Sequence, residues 1–263
     1  MTTKRTQRRY GWKRDLPDVR DKHKVAASAD VVYPPSVDLR PSCPPVYDQG
    51  QLGSCTANAI AGAIQFVCMK ANYKFPFTPS RLFIYYNERD IEGTTWYDSG
   101  AAIRDGIKSV NSQGVCPEDS KNNWNWAYTD NSFTFRIKPY SQCYTDALLH
   151  KALQYSAVNQ DIQSMRAVLA SGLPFVVGVS VYQSFENAKD GNVPMPDTSS
   201  ESLLGGHAIL IVGYDDANQT FIFRNSWGDK WGQAGYGTLP YSYLLNQNLS
   251  SDFWCVELVE GCA

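Results

Sequence analysis

The sequence predicts an α+β protein with a helical first half and a β-rich second half, and three features carry that expectation. Between Cys55 and Lys70 the apolar residues Ala59, Ile60, Ala63, Ile64, Val67 and Cys68 recur at helical spacing. Later in the chain the strongest signals are short β-branched and aromatic runs, Phe175 to Val181, Ala208 to Tyr214 and Thr220 to Arg224, with turns between them. At 263 residues the chain can bury a large core, as one compact unit or two closely packed lobes, and 43% hydrophobic against 19% charged residues excludes a disordered chain.

Taken in order, residues 1 to 33 are polar and charged without sustained periodicity, and Tyr33-Pro34-Pro35 closes them. They read as an arm outside the core, residues 34–263. Within residues 1 to 24 nine Lys/Arg face three Asp/Glu, a net +6, which leaves 15 against 23, or −8, in the remainder of a chain whose total is −2. A basic arm therefore leads an acidic body. Its Tyr10, Trp12 and Leu16 are poorly suited to a solvated tail, and a surface that covers them is expected. The arm is read as folding back across a cleft and restraining the protein, against the alternative of a frayed tail. Its Lys4, Arg5, Arg8 and Arg9 could also hold a phosphate or nucleotide.

A helical lobe is expected over about 48–135 and a β-rich lobe over about 136–263. Ser54 is placed to cap the helix that starts at Cys55, and further helices are read over Pro79 to Arg89 and Ala101 to Val110. A Trp- and Asn-rich loop follows at Lys121 to Trp126. Asn159 could cap a helix carrying Ile162, Met165, Val168 and Leu169 that Gly172 ends. No apolar run approaches the roughly 20 residues of a membrane span, and no cleavable secretory signal leads the chain. A cytoplasmic protein, or one exported by a non-classical route, is expected, without membrane contact and as a monomer. The seven cysteines are an odd number without any Cys-x-x-Cys pair, so neither a zinc site nor another cofactor is expected, and the pairing of the six besides Cys55 stays open.

Three segments carry chemistry. Asp48-Gln49-Gly50-Gln51-Leu52-Gly53-Ser54-Cys55 puts a thiol after a Gly-containing turn at a helix start, where the helix dipole and unpaired backbone N–H groups favour a thiolate. Alone, such a cysteine is more often structural. Gly205-Gly206-His207-Ala208 puts a histidine at a strand start; the other two histidines, His23 and His150, lie in the arm and in a polar stretch. Eighteen residues on (225 − 207), Asn225-Ser226-Trp227-Gly228 offers a carboxamide to orient that imidazole and an indole to shield the bond between them.

Together these segments resemble the papain family of cysteine peptidases. Gln49 six residues before Cys55, His207-Ala208 and Asn225-Ser226-Trp227-Gly228 match the family's motifs in its chain order, and the similarity runs from about Pro35 to Gly237, with the flavour of small bacterial or viral members. The resemblance implies a two-lobed fold with a cleft between the lobes. It implies Cys55 as nucleophile, His207 as acid and base, Asn225 as orienting residue, Gln49 as oxyanion donor and Trp227 as shield. It also implies substrate contacts from Ser99 and Gly100, and an apolar subsite lined by Gly178, Val179 and Ala208. Protein or peptide substrates, a thioester intermediate and endopeptidase action follow, since the His-His pair of a carboxyl-terminus-gripping cathepsin is missing. Leu52 and Thr56 depart from the family's Cys-Gly-Ser-Cys-Trp. A transferase or deamidase working through the same thioester, or an inactive binding module, stays open.

Overall fold

The computed structural model describes residues 10–24, 31–71, 77–119 and 125–262. Its elements are, in order, β1 (Trp12–Lys13), β2 (Ser36–Asp38), α1 (Cys55–Lys70), α2 (Arg81–Ile91), β3 (Ala101–Ala102), α3 (Ile103–Ser112), α4 (Ser141–Ala147) and β4 (Ala152–Ala157). There follow α5 (Ile162–Ala170), β5 (Phe175–Tyr182), α6 (Gln183–Glu186), β6 (Leu203–Asp215), β7 (Thr220–Arg224), β8 (Tyr236–Pro240), α7 (Tyr241–Leu245) and β9 (Ser250–Val259). The expected order of a helical half and a β-rich half is present, and the fold is α+β.

Every residue of α1 from Cys55 to Cys68 is buried, so the helix runs through the interior rather than over it. Gly62 is what allows this: a Cβ there would press on the Arg224 guanidinium at 2.7 Å and on Leu210, so only glycine lets α1 lie this close to β6 and β7. Ser54 occupies the N-cap position but does not cap, because its φ/ψ of −96°/24° lies outside the extended region that aims a capping hydroxyl at the first turn. Its Oγ instead pairs with the Tyr128 hydroxyl at 2.7 Å. Ser80 caps α2 through Phe83 N–H at 3.1 Å. Asp161, not Asn159, caps α5 by accepting from Ser164 N–H at 2.8 Å, and Gly172, at φ +77°, follows its end. Ala101 and Ala102, read from sequence as helix, form β3 and pair in parallel with β1.

The main sheet runs β4-β9-β5-β6-β7-β8 with β2 added on β6. Its strand pairs are antiparallel. One core cluster gathers the inner sides of α1, α2 and α3 with Cys143 and Ala147 of α4, and with Val176, Ala208, Leu210 and Trp254 of the sheet. A second fills the space between the other sheet face and α5 and α7, with Val177, Val179, Ile209 and Trp227 among its members. A disulfide joins Cys68, near the end of α1, to Cys262 across 194 residues. Cys43, Cys55, Cys116, Cys143 and Cys255 are free thiols. Among the described residues no helix is long and apolar enough to cross a membrane, and no three His, Cys, Asp or Glu side chains converge as a metal site.

Candidate active site

The β6–β7 hairpin sets Leu210 opposite Arg224, and the chain beyond β7 therefore carries Asn225 alongside His207. His207 Nε2 and Asn225 Oδ1 lie 2.8 Å apart. The same oxygen accepts from Ser226 N–H at 2.8 Å, which turns the oxygen end of the carboxamide toward the ring and places the imidazole proton on Nε2. Trp227 stacks on the imidazole with centroids 4.8 Å apart and planes 25° from parallel. Phe185 closes a further side edge-on at 6.4 Å. His207 and Asn225 are fully buried, so water does not compete for their bond.

Gln49 reaches this cluster through backbone pairing. Its N–H donates to Ser226 O at 2.9 Å, and Asp48 bridges to Trp227. The Ser226 hydroxyl donates to Gln49 Oε1 at 2.6 Å, which directs the Nε2 end toward the turn before Cys55, where it donates to Leu52 O at 2.8 Å. Cys55 opens α1, and the backbone N–H groups of Ala208, Gly11 and Thr56 lie near its sulfur and favour the thiolate. Ala208 adjoins His207 within β6, so the start of α1 meets the middle of β6. Burial nonetheless pushes the Cys55 thiol up to about 11, and the N–H donors offset only part of that. The helix start favours a thiolate; burial outweighs it, and part of the covering comes from the arm, whose Gly11 N–H lies near the sulfur.

That part is residues 10 to 13. The Gly11 carbonyl accepts from Ala101 N–H at 2.7 Å, and a Cβ on Gly11 would overlap the Gly53 carbonyl, so only glycine passes over the turn before Cys55. The Trp12 ring lies on Gly178 and Gly206, both of which would collide with it if they carried a Cβ, and its Nε1 donates to Asp252 at 2.9 Å. Tyr10 sits against Gly205, edge-on to His207 and Trp227 at 6.3 and 6.4 Å, and its hydroxyl donates to Glu186. Beyond the cleft Lys13 pairs with Glu92 at 2.6 Å, while Arg104 forks onto Asp21 and donates to the Leu16 carbonyl. Leu16, expected to be covered, is 81% exposed: its carbonyl, not its side chain, makes the contact. Lys4, Arg5, Arg8 and Arg9, the cations read as a phosphate or nucleotide site, lie outside the described residues.

The expected substrate contacts divide. Gly100, at φ +68°, faces the Gly11 carbonyl, and Gly178 and Ala208 pair across β5 and β6. Val179 is one position further along β5, on the opposite face, and belongs to the cluster with Val177 and Ile209. Gly206 therefore replaces it on the wall against Trp12. The Ser99 hydroxyl is directed to Thr94 Oγ1 at 2.9 Å and to Gly100 O at 2.7 Å, within its own loop. Sequence reasoning did not single out Glu186, Asp252, Gly53 or Gly206. The Tyr10-Gly11-Trp12 run was the available signal, because a glycine between two aromatics suits a segment that threads a narrow groove.

The sequence profile described as papain family cysteine protease matches residues 33–248. The chain belongs to the papain family. An uncharacterized peptidase C1-like protein of Acanthamoeba polyphaga mimivirus is 39% identical, with 98% of this chain and 90% of that protein covered. Among solved structures, xylellain, a cysteine protease from Xylella fastidiosa, is 45% identical with a TM-score of 0.87 and 98% of each chain covered. Digestive procathepsin L 3 of the Tenebrio molitor larval midgut, 18% identical at TM-score 0.62 over 93% of this chain and 75% of that one, shares the fold. The papain-family fold accounts for the arrangement here, a helix start facing the interior of a β-strand across the seam of two cores, and the chain is a cysteine peptidase.

Proposed function

We propose that the chain is a cysteine endopeptidase that works through Cys55, His207 and Asn225, and that its own residues 10 to 13 restrain it. The observation that carries the reading is the His207–Asn225 bond of 2.8 Å beneath Trp227, with the Ala208 N–H that follows His207 lying near the Cys55 sulfur. Cys55 gives its proton to His207 Nδ1, and the thiolate attacks the scissile carbonyl. The oxyanion is held by Gln49 Nε2 and the Cys55 backbone N–H. His207 protonates the departing amine, leaving a thioester, and then takes a proton from water as that water attacks the thioester and frees the new carboxyl terminus. Asn225 keeps the ring in one orientation throughout.

The arm's direction supports restraint rather than self-cleavage. In a substrate the amine that leaves lies C-terminal to the scissile carbonyl and must approach His207. In the arm the residue on the His207 side is Tyr10 and the one on the other side is Trp12, so the chain runs the opposite way, parallel to β3. The test compares the full-length chain with one lacking residues 1 to 33. The expected result is labelling of Cys55 by an epoxide inhibitor in both, with labelling and hydrolysis of a peptide mixture at least about tenfold faster after deletion. Equal rates would remove the restraint; one-dalton mass changes or crosslinks in place of cleavage would point to deamidase or transferase chemistry.

A further inference from the structure

We propose that Glu186 makes the leaving-group side of the cleft selective for peptides whose residue after the scissile bond carries a hydrogen-bond donor at its tip, namely Lys, Arg or Tyr. This rests on the peptidase reading above. The side chain of Tyr10 marks the place: its ring stands edge-on to His207 and Trp227 at 6.3 and 6.4 Å, and its hydroxyl donates to the Glu186 carboxylate. His207 hands its proton to the departing amine, so whatever lies against His207 and Trp227 on that wall belongs to the part of the substrate that leaves.

The backbone that carries the carboxylate is held firmly. Glu186 ends α6, and the adjacent Phe185 is buried between Trp227, Phe223 and Tyr243 at 5.8, 5.8 and 6.4 Å. The floor of the slot is Gly205, where a Cβ would come within 2.7 Å of Tyr10 Cβ, so no side chain from β6 shares the space. Glu201 accepts from Ser184 N–H in the same short helix at 2.7 Å, and among the described residues Glu186 enters no ion pair. Once the arm leaves, a half-buried carboxylate faces the slot. A donor on the incoming residue replaces the Tyr10 hydroxyl; a phenyl ring desolvates the carboxylate without a partner; a carboxylate is repelled.

The experiment uses the full-length chain and, to open the cleft without truncation, the full-length Gly11→Val chain, in which the added side chain cannot pass Gly53. Four quenched peptides differ only in the residue after the cut, Lys, Tyr, Phe or Glu, and kcat/KM is read for each. Ratios between peptides are independent of the fraction of open enzyme. Lys and Tyr are expected to exceed Phe by about tenfold, and Glu to be slowest. Glu186→Gln should bring Lys and Phe within about twofold, and Glu186→Lys should favour the Glu peptide. Equal rates for all four in the Gly11→Val chain, or ratios unmoved by Glu186→Gln, would overturn the assignment while leaving the peptidase reading intact. Cleavage of none of them would overturn both.

Discussion

Gln49 serves two demands with one side-chain amide, since its oxygen holds the Ser226 hydroxyl beside Asn225 and its nitrogen faces the turn before Cys55. Replacing Gln49 with Ala is expected to lower kcat by about 100- to 1000-fold with little change in KM, the usual cost of one oxyanion donor. Gln49→Glu keeps an acceptor for Ser226 and removes the donor, so it should lose about as much. A large KM increase, or a loss confined to the Ala variant, would assign Gln49 to scaffolding alone. Cys55, His207-Ala208 and Asn225-Ser226-Trp227-Gly228 were legible because each residue's meaning sits in its immediate neighbours. Glu186 was not, because what identifies it is a hydroxyl 176 positions away in sequence.

The elements follow from sequence to the extent that their periodicity is one-sided. α1 was read to its last residue because its apolar repeat is continuous, and β7 because it is short and flanked by turns. β4, β8 and β9 passed unread, since Ser156, Thr238 and Ser251 interrupt their apolar residues and only pairing in the sheet makes strands of them. Strand parity also decided that Val179 turns away from Gly178. The short β1 depends on a half-buried polar anchor just after it. Asp15 accepts from Trp254 Nε1 at 3.1 Å and from Arg104 N–H at 3.2 Å, and its own N–H donates to Asp252 at 2.8 Å. Burial, and after it the Asp252 charge, raises the Asp15 carboxyl from its ordinary 3.8 to about 7, with the Trp254 hydrogen bond and then Arg104 only partly offsetting them. A carboxyl whose pKa rises on docking takes up a proton as the arm seats, so seating is strongest below about pH 4, weakens as pH climbs toward 7 and is level above that. The peptidase rate of the full-length chain, divided by that of the arm-deleted chain, should therefore climb between those limits, and Asp252→Asn should flatten the climb and lower the ratio at pH 7. A ratio independent of pH would remove Asp15 from the control of docking.

Across the whole molecule, the link between Cys68 and Cys262 fastens the chain's end to the buried helix that begins with Cys55. Closing so long a loop restricts the unfolded chain, and its loss is expected to cost about 2 to 5 kcal/mol. For a chain of this size that corresponds to a melting temperature lower by about 4 to 9 °C in Cys262→Ser, or in the wild type under dithiothreitol. An unchanged melting temperature would make the bridge energetically idle. Seven cysteines at scattered positions could announce only that one must stay unpaired; which two join depends on where the two chain segments end up. The same division runs through the protein. Helical and alternating patterns, and short motifs around a thiol, an imidazole and a carboxamide, are local properties, and they disclosed the fold class, the order of its halves and the family resemblance. The seat of Tyr10, Gly11 and Trp12 in the groove, the facing of Glu186 onto that groove and the covering of the Cys55 sulfur came only from the folded chain. Each is a contact between surfaces that do not exist until the helices and the sheet have packed.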